Sequence, residues 1–175
     1  MIEQALLNFF KLNNISYKLF EHQPVFTVDD KPIVTKIDGM NVENEDVPRP
    51  HFKTLFLKDK AGQVFLVSVI EDKRVDLNAL SQELSCARFS FGKEVELLEL
   101  MNVTPGSVTP FGLIFDRQNQ IIFVLDEDAL KLDVVGFHPL KNDMTVVMPL
   151  QEFLKCMEIM KHPPKIIRIP IKSNA

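Results

Sequence analysis

At 175 residues, with 46% hydrophobic and 25% charged residues, the chain has the size of one domain and the balance of an ordinary globular protein. That balance excludes collagen-like and disordered classes, and no apolar run is long enough to cross a bilayer. Lys plus Arg total 20 against 24 Asp plus Glu, a net charge of −4, so binding to nucleic acid by bulk electrostatics is excluded and an RNA partner needs a local basic patch.

In chain order, Glu3 to Lys11 reads as an amphipathic helix, with Ala5, Leu6, Phe9 and Phe10 at helical spacing and Asn13-Asn14 ending it. Its N-terminus carries an acidic residue early and no small-residue cleavage site, so a signal peptide is not expected and a cytoplasmic protein is. Ser16 to Phe20 alternates like a short strand. Asp29 to Pro50, with Pro32, Gly39, Pro48, Pro50 and the acidic Glu43, Glu45 and Asp46, is expected to be a long loop.

Phe52 to Lys58 and Gln63 to Ile70 read as a hairpin around Asp59-Lys60-Ala61-Gly62. Asp76 to Leu84 reads as a helix capped near Asp76, with Leu77, Leu80 and Leu84 inward. Lys93 to Met101 reads as a second helix, with Glu94, Glu96 and Glu99 on a solvated face. Leu113 to Phe115 and Ile121 to Leu125 suggest another hairpin. Met144 to Met148 reads as a strand, followed by a helix from Pro149, suited to a first helical position, to Lys161. Leu150, Phe153, Leu154, Met157 and Met160 form its buried stripe. Strands that come in hairpins predict a single α+β domain over 1–175, with a mixed, largely antiparallel curved sheet or barrel flanked by helices.

Standard catalytic strings are absent: no G-x-S-x-G, H-E-x-x-H, Walker loop or dinucleotide fingerprint occurs. His22, His51, His138 and His162 are too scattered to argue a metal site, and Cys86 and Cys156 lack a C-x-x-C spacing. No metal or cofactor is expected. Three features remain. Thr104 to Gly112, T-P-G-S-V-T-P-F-G, is a shaped loop in which Pro105 and Pro110 withhold donors and Gly106 and Gly112 permit close approach. The amides of Gly106 and Ser107 are then expected to face a ligand, against the plainer reading of a rigid connection. Lys53 alternates with Leu55 and Leu57 on a strand that otherwise reads apolar, unless it is an edge lysine snorkelling to water. Phe137 to Asn142, F-H-P-L-K-N, is a second polar loop.

These strings, H-F-K-T-L-F-L-K-D from His51, the Pro-Gly loop and F-H-P-L-K-N, closely resemble in order and spacing the YbaK/ProX family of free-standing aminoacyl-tRNA deacylases. That family is related to the editing domain of bacterial prolyl-tRNA synthetases. His22 to Val28 (H-Q-P-V-F-T-V), Asp72 to Leu77 (D-K-R-V-D-L) and Val124 to Asp128 (V-L-D-E-D) extend the resemblance over almost the whole chain. The long loop from Asp29 is a departure, as is N-D-M-T, with Asp143 and Met144, where N-T-A-T is usual.

The resemblance implies hydrolysis of the ester joining an amino acid to the terminal adenosine of tRNA, most closely alanine clearance from Ala-tRNA(Pro). Its functional lysine matches Lys53. Gly106, Ser107, Val108, Thr109, Pro110, Phe111, Gly136, His138 and Asn142 are then the expected substrate-binding residues. Amides of the Gly106-Ser107 turn or of Gly136 would serve the oxyanion, and Val108, Pro110 and Phe111 would set a pocket too small for proline. The implied partner is the acceptor end of aminoacyl-tRNA, with prolyl-tRNA synthetase as a further candidate and neither membrane nor DNA. Basic contacts would come from Lys53, Lys58, Lys60, Lys73, Arg74, Lys141 or the tail residues Lys161, Lys165, Arg168 and Lys172. A Cys-tRNA deacylase and a non-catalytic module binding aminoacyl-tRNA or an amino acid are the alternatives.

Overall fold

The computed structural model describes residues 2–25 and 33–173. In chain order the elements are α1 (Ile2–Leu12), β1 (Lys18–His22), β2 (Val34–Ile37), β3 (Met40–Asn41), β4 (Phe52–Asp59), β5 (Val64–Ile70), α2 (Leu77–Glu83), β6 (Phe89–Phe91) and α3 (Glu94–Met101). After two 3-10 turns come β7 (Ile121–Asp126), β8 (Val134–Phe137), β9 (Met144–Pro149), α4 (Leu150–Ile159) and β10 (Lys165–Ile167).

The expected α+β arrangement is present, and its strands divide into two five-stranded sheets. One is antiparallel throughout, in the order β3-β2-β1-β9-β8; the other is mixed, in the order β10-β7-β5-β4-β6. The main core draws Val135, Phe137, Val146 and Met148 from the first sheet and Phe56, Leu66, Phe123 and Leu125 from the second. Leu6 and Phe10 of α1, Leu97 and Met101 of α3, and Phe153 and Met157 of α4 close it. Side chains alternate across a strand, so Leu57, Val67 and Val69 point the other way, into a second cluster with Leu80 and Leu84 at α2. This makes β5 a strand whose residues Val64 to Val69 are all buried, as its unbroken apolar run requires.

Several local expectations are corrected. The stretch expected to be a long loop contains β2 and β3, paired antiparallel; its first residues, 29–32, lie outside the described set, as do 26–28 of the H-Q-P-V-F-T-V string. Leu113 to Phe115 is no strand: it belongs to a 3-10 turn, Pro110–Phe115, begun by a proline with no amide to donate. The partners of β7 are instead β5 and β10, both parallel. Pro149 caps α4 rather than occupying its first turn. Ala5 is exposed, and the buried apolar residues of α1 are Leu6 and Phe10, one turn apart, with Glu3 buried beside them. Glu96 is not a free surface charge, since its carboxylate meets Lys58 at 2.9 Å and accepts the Lys93 amide at 3.2 Å.

Candidate active site

The site begins where the two sheets meet. Phe52, first residue of β4, packs its ring against Phe137, last residue of β8, at a centroid distance of 5.0 Å. Glu71 N donates to His51 O at 3.0 Å, so the β4–β5 ladder continues one residue beyond the strand and His51 shares the side of Lys53. Burial pushes the Lys53 ammonium below its ordinary value, and the negative charges of Asp72 and Glu71 oppose that. Glu71 also faces His51 Nδ1 at 3.6 Å and Arg49 at 3.4 Å.

Across from it, the loop 138–143 is fixed by its own polar contacts. His138 Nδ1 donates to the Met144 carbonyl at 2.8 Å, which leaves Nε2 as an acceptor. Burial pushes His138 below the usual histidine value; His22 and His51 push the same way, while the Met144 hydrogen bond and Asp143 oppose. The ring is therefore neutral at pH 7. Asn142 Nδ2 donates to Val25 O at 3.2 Å and Val25 N to Asn142 O at 3.0 Å, tying this loop to the end of β1. His22 is buried, with Nδ1 on Gln23 O at 2.7 Å and Nε2 on Thr145 Oγ1 at 2.8 Å, and its ring lies 6.2 Å from that of His138.

One backbone amide, that of Gly136, is placed to donate, and Gly106 leaves open space for a ligand to approach. Leu150 N reaches Asp133 O, which sets the alternation of the β8–β9 ladder and makes Gly136–Val147 a non-hydrogen-bonded pair. Since β8 is an edge strand, the Gly136 amide points off the open side of the sheet. Gly106 is exposed, and a β-carbon there would meet only Asn142 Nδ2, at 3.9 Å. The Ser107 amide is a correction: it closes a 3-10 turn on Thr104 O at 2.9 Å and is not free for a ligand.

The structure thus sets Gly106 beside Asn142, in the same loop as His138, and the Phe52–Phe137 contact brings the start of β4 to the start of that loop, with Lys53 on the opposite face of the strand from Phe52, the face of Leu55 and Leu57. The rest of the Pro-Gly loop sits deeper. Thr109 is buried and accepts Phe111 N at 3.3 Å; Pro110 is buried; Val108 is half-buried against the core. Phe111 is 0% exposed and packs edge-on against Phe10, Phe137 and Phe153. Of the expected basic contacts, Lys58, Lys73 and Lys141 are engaged by Glu96, by Asp126 and Asp128, and by Glu3. Residues not expected in the site are His51, His22 and Asp143, all acting on His138, so three of the four scattered histidines come together here, while His162 pairs with Asp116 elsewhere. Among the described residues, no three His, Cys, Asp or Glu side chains form a metal-binding set, and no helix is long and apolar enough to cross a membrane.

The structure is a small two-sheet α+β fold with a partly desolvated lysine on β4, a buried imidazole in the β8–β9 loop and a backbone amide open on the edge strand β8. The model of the aminoacyl-tRNA editing domain matches residues 35–156. The chain is 33% identical over 145 residues to the prolyl-tRNA editing protein ProX of Acetoanaerobium sticklandii, covering 82% of this chain and 83% of that one. It is 36% identical over 172 residues to prolyl-tRNA synthetase associated domain-containing protein 1 of Xenopus laevis, covering 95% and 96%. Among solved structures, a hypothetical protein aligns with a TM-score of 0.67 at 18% identity, covering 94% of this chain and 97% of that one. A candidate trans-editing enzyme for prolyl tRNA synthetase aligns with a TM-score of 0.56 at 19% identity, covering 69% and 70%. The chain belongs to the aminoacyl-tRNA editing domain family, a family of aminoacyl-tRNA editing deacylases.

Proposed function

We propose that the protein is a trans-editing hydrolase that cleaves the ester of Ala-tRNA(Pro) and spares Pro-tRNA(Pro). The observation that carries this reading is the partly desolvated Lys53 ammonium near the start of β4, where the adjacent Phe52 packs against Phe137 at the start of the His138 loop. A charge withdrawn from water acts more strongly on a developing oxyanion than one in bulk solvent.

In the reaction, a water oxygen attacks the ester carbonyl carbon, and the carbonyl oxygen takes up negative charge. Lys53 and the Gly136 or Gly106 amide stabilise that charge. The carbon–oxygen bond to the ribose then breaks, the ribose oxygen leaves with a proton from the attacking water, and the free amino acid and tRNA depart. The adjacent ribose hydroxyl orients the water. Neutral His138 offers Nε2 as a hydrogen-bond acceptor for the substrate, and Asn142 holds its loop. Such an ester is already activated, so positioning and charge stabilisation are sufficient. Steric selection against proline falls to Val108 with Pro110 and Phe111 behind it, because the buried pair fixes where the half-buried valine stands.

The test is loss of the aminoacyl ester from Ala-tRNA(Pro), Cys-tRNA(Pro) and Pro-tRNA(Pro), with Lys53→Ala alongside. Rapid loss of alanine alone, abolished in the variant, is the expected result. Loss of cysteine alone would reassign the substrate, and no loss from any of the three would overturn the hydrolase reading.

A further inference from the structure

Buried polar atoms without partners are rare in folded chains, and each one calls for a reason. Two side-chain atoms of this kind occur among the described residues: Nε2 of His51 and Oδ1 of Asp143. They come from distant segments, yet both residues act electrostatically on the ring of His138. The unfilled polar demand of the molecule is therefore concentrated at the candidate site.

For Asp143 the remaining contacts are accounted for. Its carbonyl accepts the His22 amide at 3.0 Å. Its other oxygen, Oδ2, faces Lys141 at 3.9 Å, and that lysine also faces Glu3 at 3.5 Å. Oδ1 is left inward with no donor. The position is also one where this chain departs from the family string, carrying a carboxylate where threonine is usual.

The Asp143 side chain is 37% exposed and shares Lys141 through Oδ2, but Oδ1 has no hydrogen-bond donor, and a charged donor is the group such an oxygen takes most strongly. The amino-acid end of an aminoacyl ester brings one positively charged group, its α-ammonium, two bonds from the ester carbonyl carbon. We propose that Asp143 Oδ1 receives this α-ammonium, so that the site demands a free amino group and discriminates against N-acylated aminoacyl-tRNA. The inference rests on the editing reading for the nature of the ligand. It makes Asp143 a specificity residue: holding the ammonium fixes where the carbonyl sits relative to Lys53. His51, whose Nδ1 faces the Glu71 carboxylate, supplies the second unsatisfied atom that acts on the His138 ring.

The experiment separates binding from turnover. Calorimetric titration with 3′-alanylamino-3′-deoxyadenosine, an amide that mimics the ester, and with its N-acetyl derivative is carried out on the wild type, Asp143→Asn and Asp143→Thr. A charge-assisted hydrogen bond lost to a buried site corresponds to about 10- to 100-fold in affinity. The wild type is expected to prefer the free amine by that factor. Both variants lose most of the preference while binding the N-acetyl compound as the wild type does, and thermal melts confirm that they are folded. Hydrolysis of Ala-tRNA(Pro) by Asp143→Asn shows a rise in KM larger than the fall in kcat. Equal wild-type binding of the two compounds, binding of neither, or a preference retained in both variants overturns the inference. A preference that depends on Asp143 in a protein without turnover supports the ammonium site and overturns the hydrolase reading; turnover without preference does the reverse.

Discussion

The rings of Phe52 and Phe137 lie 5.0 Å apart and tilted by 33°, and they join the start of β4 in one sheet to the end of β8 in the other. Each is followed directly by a residue of the candidate site, Lys53 and His138. Phe137 is in turn stacked on Phe153 of α4 at 4.7 Å, so the site is anchored through two rings to the main core. Phe137→Ala removes the middle ring, and a buried Phe→Ala change costs about 3–5 kcal/mol. The expected outcome in urea denaturation is a loss in that range, with deacylation falling further than the folded fraction does because the His138 loop is released. A variant as stable as the wild type would show that the contact does not join the sheets.

Lys53→Met separates function from stability. Losing one electrostatic stabiliser of an oxyanion costs about 10²- to 10³-fold in turnover, and that loss is expected in single-turnover deacylation. Stability is expected to move the other way. The folded-state value of Lys53 is depressed, because burial outweighs Asp72 and Glu71, so the charged side chain is disfavoured in the folded chain. That penalty is present at pH 7 and vanishes as the pH rises through the folded value towards the ordinary 10.5. Thermal melts of Lys53→Met should therefore match or exceed the wild type at pH 7, with the difference shrinking by pH 10. A large destabilisation at pH 7 would mark Lys53 as a structural residue.

What the sequence discloses about this site follows from how locally each part is specified. The β4–β5 hairpin was legible because the Asp59–Gly62 turn separates two apolar runs, and Lys53 stood out against its run. β2 and β3 were not, because four-residue and two-residue strands among prolines and acidic residues carry no usable period. β10 pairs in parallel with β7, a long-range contact without a local signal. The apolar Leu113–Phe115 looked like a strand because periodicity cannot separate a short buried turn from a short buried strand. Likewise His138 and Asn142 were visible within a string, whereas the unsatisfied atoms of His51 and Asp143 are properties of the assembled fold.

Gly112 illustrates a close approach that the sequence marked without saying to what. A β-carbon at Gly112 would stand 3.0 Å from Met101 Cβ and 3.1 Å from its Sδ, between the second 3-10 turn and α3. Met101 is fully buried in the main core, so its backbone-proximal Cβ cannot withdraw freely. Overpacking of this kind costs about 1–3 kcal/mol. Gly112→Ala should lower the unfolding midpoint accordingly, whereas Gly106→Ala, with only Asn142 Nδ2 nearby at 3.9 Å, should leave stability unchanged. Equal stability of the two variants would refute the packing argument.

The pH range over which the fold is stable is set in part by Lys73. Its ammonium lies 2.8 Å from Asp126 and 2.6 Å from Asp128, and Asp128 also meets Lys131 at 2.9 Å. Asp126 is fully buried, and its carboxylate also accepts Ile70 N and Asp128 N, which holds the end of β7 against β5. The hydrogen bonds from Lys73 and then Lys131 draw Asp128 down to about 2 from 3.8. Its contribution is thus complete above pH 3.8 and lost as the pH falls through 2. Burial lowers Lys73, but its hydrogen bonds to Asp126 and Asp128 outweigh this and raise it above 10.5. That contribution is complete below 10.5 and lost as the pH rises through the folded value. The network therefore stabilises the fold between about pH 4 and pH 10. Lys73→Met leaves buried Asp126 without its cation, and because Lys73 keeps about a fifth of its side chain in water the cost lies below the roughly 3–5 kcal/mol of a fully buried pair. Urea midpoints taken from pH 2 to pH 11 should show the variant well below the wild type across the middle of that range and converging on it at both ends. A constant offset at every pH would assign the loss to packing of the lysine stem instead.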